Sequence, residues 1–140
     1  MSSQGVRTAA LKALTEIRRA QLRIRALAER TRELDRENHL RMLVIVELLE
    51  RMALRLETVL SLGYVTPDLL KAPLVIVYAI GALRSFVPPD VRLSLSAIQE
   101  GVETIRVSAF PELRVSEEEL RREAEQVIRE ATEAARRRMG

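Results

Sequence analysis

From about Val6 to about Leu62 the apolar residues recur with the spacing of an α-helix, and this long tract constrains the fold more than any other feature. Its two halves differ. Up to Arg36 it is amphipathic and basic, with Ile17, Ala20, Ile24, Leu27, Thr31 and Leu34 in one stripe at 3-4-3-4 spacing. From Leu40 to Leu62 it is apolar on most sides, and only Glu47, Glu50, Arg51, Arg55 and Glu57 form a narrow polar strip. Glu47 and Arg51 there have the i,i+4 spacing that permits pairing. A helix so apolar around its circumference has to be surrounded by protein. A bend or break near Asp35–Asn38 then divides the chain into a helical arm, residues 1–38, and a helical bundle core, residues 39–140.

Downstream punctuation is clear. Gly63 ends the tract, and Thr66-Pro67 supplies a cap followed by proline at the first helical position. The next helix reaches about Phe86, with Pro73 kinking it or marking its start. Its run Val75-Ile76-Val77 also fits a short buried strand. Pro88-Pro89-Asp90 breaks the chain before a helix over roughly Val91 to Val107. Ser116 with Glu119 reads as a capping box opening a last helix to about Arg138, with Leu120, Ala124, Val127, Ile128, Ala131 and Ala135 inward. The fold class is all-α: a long basic N-terminal helix projecting from a bundle of about four helices. With four aromatic residues and no Trp in 140 residues, the core has to be aliphatic, which suits helix-on-helix packing.

Charge is as unevenly placed as hydrophobicity. The first 28 residues hold six bases and one acid, Glu16; the other 112 hold 17 bases and 19 acids. The bases form two rows flanking the apolar stripe: Arg7, Arg18, Arg25, Arg32 and Arg36 on one side, Lys12, Arg19, Arg23 and Arg30 on the other. Leu11, Leu22 and Ala26 lie between the rows, opposite the stripe. Guanidinium forks grip phosphates through paired hydrogen bonds, so a polyanion is the natural partner. Arg7, Lys12, Arg18, Arg19, Arg23, Arg25, Arg30 and Arg32 are the candidate nucleic-acid contacts, and Ile17, Ile24, Leu27 and Leu34 the candidate subunit interface. Without interleaved aromatics or base-reading amides other than Gln21, the expected mode is sequence-indifferent contact with duplex backbone. An acidic protein, an anionic lipid surface or a solvated coiled-coil flank are the competing readings of the arm. From Glu29 to Glu37 the signs alternate, and there the flank is the better reading.

Little else points to chemistry. With no cysteine, disulfides and thiolate metal sites are excluded. The lone His39 lacks Glu-x-x-His spacing, because Arg36 stands three residues before it, and it reads as a structural or exposed residue at a helix joint. The dispersed glycines make no phosphate loop. Neither catalysis, a cofactor nor a metal is expected. The apolar run Ala72–Leu83 has 12 residues, short of the roughly 20 a membrane span requires, and reads as a core helix. No secretory signal is readable. A single Asn, four Gln and abundant Arg and Glu match the bias of heat-adapted proteins.

Taken together, the small helical domain, the basic N-terminal helix, backbone-directed duplex binding and this compositional bias resemble the major capsid proteins of filamentous archaeal viruses. The resemblance is architectural, covers the whole chain and rests on no diagnostic motif. It implies a virion subunit that coats double-stranded DNA, held in A-form, in a helical filament. Its partners would be copies of itself or a paralogous subunit, with a lipid envelope in some members. The alternative is a cytoplasmic dimeric scaffold or chromatin-like interaction module.

Overall fold

The computed structural model describes residues 3–139. They form five α-helices: α1 (Ser3–Thr31), α2 (Arg36–Leu62), α3 (Pro67–Leu83), α4 (Pro89–Ala109) and α5 (Glu117–Met139), with a 3-10 turn at Arg84–Phe86. Helices α1, α2, α3 and α4 pack in a closed ring, each against the next and α4 back against α1, while α5 lies over α2 and α3.

Each boundary has a local cause. The break after α1 falls at residues 32–35, slightly earlier than expected, where the amides of Leu34 and Asp35 both donate to the Thr31 carbonyl. The Asp35 side chain then accepts from the Asn38 amide at 3.1 Å and caps α2. Gly63 closes α2 at φ 78°, a left-handed conformation, and its amide donates to the Val59 carbonyl. Thr66 caps α3 by accepting from the Leu69 amide, and Ser116 does the same for Glu119 at the start of α5. The run Val75-Ile76-Val77 is helical, and Pro73 lies buried inside α3.

Helix α2 is walled in by α1, α3 and α5, as its apolar circumference requires. Ile45, Leu48, Leu49, Met52 and Leu56 are fully buried along it. From α5, Ala124, Ala131 and Ala135 are buried, and Leu120, Val127 and Ile128 pack partly exposed against the core. The segment Pro67–Phe86, 20 residues at mean hydropathy 1.6, is long and apolar enough by composition to cross a membrane, and a third of it is buried in the fold.

Two expectations are corrected here. The basic N-terminal helix does not project: Val6, Ala9, Ala10, Ala13, Ile17, Ala20, Ile24 and Ala28 join the same core as α2 to α5. An arm over residues 1–38 is therefore not a separate packing unit from residues 39–140. The stripe offered to a neighbouring subunit is also used at home, since Ile17 and Ile24 are fully buried within their own chain. The physical reason is an alanine ridge beside the stripe. Small side chains widen the buried face enough for two neighbours, and at Gly101 a Cβ would stand 3.0 Å from the Ala13 Cβ and 3.4 Å from the Ala9 carbonyl. Leu27 packs partly exposed against the core, and only Leu34, 87% exposed, is left clear of it.

Candidate nucleic-acid interface

With one stripe of α1 buried, the two arginine rows face different surroundings. The row containing Arg7, Arg18, Arg25 and Arg32 borders α2, which carries carboxylates. Arg18 donates to Glu50 Oε1 and to Glu57 Oε1, each at 2.7 Å, and to Gln21 Oε1 at 2.8 Å. Gln21, 1% exposed, donates in turn to Glu50 Oε1 and to the Val46 carbonyl. This network cross-braces α1 to α2. The hydrogen bonds from Gln21 and then Arg18 hold the Glu50 carboxyl below its ordinary range, and the bond to Glu50 raises Arg18 further.

The second row faces outward and toward α4. Arg23 pairs with Asp90 at the start of α4, at 2.9 Å, and this contact holds Asp90 low. Arg19 makes only an intrahelical pair with Glu16, 3.0 Å away, and stays largely in solvent. Arg32 approaches Glu29 no closer than 3.7 Å. Among the described residues, Arg7, Lys12, Arg25 and Arg30 form no ion pair, and all four are exposed. On an ideal helix Lys12 and Arg30 lie about 27 Å apart along one line, with Arg19 between them. Beside Lys12 an open groove of about 860 Å³ separates α1 from α4; its acids, Glu16 and Glu100, temper the local charge.

Of the eight cations expected on nucleic acid, the fold therefore commits Arg18 and Arg23 to neighbouring helices. Arg7, Lys12, Arg19, Arg25 and Arg30 remain available on the surface, with Arg32 at the turn. The polar strip of α2 is also matched differently from expectation. Glu50 and Glu57 take Arg18, Glu47 takes Arg138 and Arg51 takes Glu130, so the i,i+4 pair of Glu47 with Arg51 does not form. Sequence reading missed the bracing role of Gln21. Its signal was position, because a polar residue near the apolar stripe has to find a partner.

His39 sits at the joint, and of the two readings, structural or exposed, the fold gives the first. It is buried, and its Nδ1 donates to the Ala28 carbonyl at 2.6 Å, because a carbonyl can only accept. No group of three or more His, Cys, Asp or Glu side chains gathers to hold a metal ion among the described residues. No known protein family, curated protein or solved structure matches the chain.

Proposed function

We propose that the chain is a non-catalytic structural protein that coats double-stranded nucleic acid without sequence preference, as a capsid-type subunit does. One observation carries this reading. A basic helix is held on the bundle, and Arg7, Lys12, Arg19, Arg25 and Arg30 stand along its two exposed rows with no ion pair to another helix among the described residues, Arg25 acting on Glu50 only at longer range. Cations fixed in two rows on a rigid helix fit a regular array of phosphates and lose little entropy on binding. Arg18 and Arg23, committed to Glu50, Glu57 and Asp90, contribute to the rigidity of the helix instead of to the contact.

The bundle acts as one subunit, and copies meet through apolar residues the fold leaves outside. Leu34, 87% exposed at the turn after α1, keeps that role, and Leu22, 70% exposed on α1, takes the place of the buried Ile17 and Ile24. These same leucines support the alternative, a dimeric helical scaffold that meets nucleic acid only incidentally.

The test is duplex binding by fluorescence anisotropy across a salt series. Five phosphate contacts give a log–log slope of about −4.5, whereas all eight candidate cations would give about −7. No measurable duplex affinity at low salt refutes the proposal. Electron microscopy of the protein with duplex separates continuous coated filaments from discrete dimers.

A further inference from the structure

Where α1 stops and α2 begins, the fold brings in the last turn of α5 from the far end of the sequence. Arg32, Arg36, His39 and Arg138 line a notch of about 350 Å³, together with Glu29 and Glu33. Arg138 is held by Glu47, a carboxylate on a residue only 8% exposed, whose Oε1 lies 2.7 Å from Nε. That oxygen has no hydrogen bond, so the contact is an off-line ion pair. It occupies one edge of the guanidinium and leaves both terminal amino groups without a partner among the described residues.

The other donors are likewise unused. Among the described residues Arg36 makes no ion pair or side-chain hydrogen bond, and Arg32 has only its 3.7 Å approach to Glu29. His39, more than nine-tenths buried, also lines the notch, and its Nδ1–H is spent on the Ala28 carbonyl. Glu29 and Glu33 are exposed, and no group of three or more acids and His gathers around them among the described residues.

From this geometry we infer that the notch binds a phosphate chain. Guanidinium forks from three separate segments give paired hydrogen bonds to phosphate oxygens. The volume exceeds a single phosphate and falls at the small end of ligand sites, which fits a di- or triphosphate. Such a chain comes either from a free polyphosphate or from a nucleic-acid backbone. The site is separate from the outward face of α1 and does not depend on duplex coating.

The test is calorimetric titration of the full chain with sodium tripolyphosphate at low salt. Wild type is expected to bind saturably at one site. Arg36→Gln weakens binding about tenfold, and Arg36→Gln with Arg138→Gln abolishes it, in line with the loss of charge-assisted hydrogen bonds. The variant Lys12→Gln/Arg19→Gln on α1 keeps wild-type affinity. Absence of a saturable site, an unchanged affinity in Arg36→Gln, or an equal loss in the α1 variant overturns the inference. Arg36 is exposed and holds no contact, so Arg36→Gln decides the matter even if the Arg138 change unfolds the chain. Competition with a short mixed-sequence duplex names the source. Displacement assigns the site to nucleic-acid backbone and retention to free polyphosphate; either result upholds the site. Failure of duplex binding with tripolyphosphate binding intact defeats the coating function alone.

Discussion

Replacing Arg18 with methionine separates a helix brace from a phosphate contact. The substitution keeps an unbranched apolar stem but removes the guanidinium that joins Gln21, Glu50 and Glu57. Two effects add. The ion pairs to Glu50 and Glu57 are partly exposed, so screening limits their joint loss to about 1 kcal/mol. Gln21, buried, loses the donor to its Oε1, which costs about another 1–2 kcal/mol. The expected destabilisation is therefore about 2–3 kcal/mol. Unfolding entropy scales with chain length, and for 140 residues this lowers Tm by about 7–10 °C. Circular dichroism melting and duplex titration of the same preparation check both halves. Duplex affinity is expected to change less than threefold, and the salt slope to stay the same instead of falling by about 0.9. An unchanged Tm with a drop in affinity and slope would refute the assignment and return Arg18 to the binding face.

Three further outcomes follow from the packing and charge. Gly101→Leu has to part α1 from α4 at Ala9 and Ala13 and is expected to cost about 1–3 kcal/mol in denaturant unfolding; Gly81→Ala, whose Cβ meets nothing within 4 Å, gains up to about 1 kcal/mol. Ile24→Ala is expected to cost about 2–5 kcal/mol, because Ile24 is buried within its own chain, whereas Leu34→Ala leaves monomer stability unchanged and weakens self-association by ultracentrifugation. Acid unfolding has a definite sign. The folded pKa of Glu50 lies below its ordinary 4.5, so between the two values the unfolded chain binds more protons and stability rises with pH. The contribution is full above about pH 4.5 and is lost as pH falls through the depressed value. Glu50→Gln flattens that limb of the stability–pH curve, and an unflattened limb would show that the Gln21–Arg18–Glu50 network contributes nothing to it.

Much of the architecture was legible because local rules governed it. Gly63, Thr66-Pro67 and Ser116 end or start helices through capping chemistry within a few residues. The apolar circumference of α2 required neighbours on several sides. The site was less legible. Periodicity showed that Ile17 and Ile24 share a face but could not say whether their own chain or another would cover it. Alanines at 9, 10 and 13 carried the answer weakly, since a small side chain is compatible with both burial and exposure. The row of Arg18 looked equivalent to the row of Lys12 because the acids that distinguish them, Glu50 and Glu57, lie on a helix whose rotation only packing fixes.

The sequence by itself determined a largely helical chain, an aliphatic core and a positive balance confined to its N-terminal helix, since these depend on residue type and spacing along the chain, and it left open helix or strand at Val75–Val77 and bend or break near Asp35–Asn38. Tertiary structure alone decided which cations remain free. Desolvation and hydrogen-bond geometry act between helices, so the fate of Arg18, Arg23 and Arg138 was settled only when Glu50, Glu57, Asp90 and Glu47 were brought within about 3 Å of them.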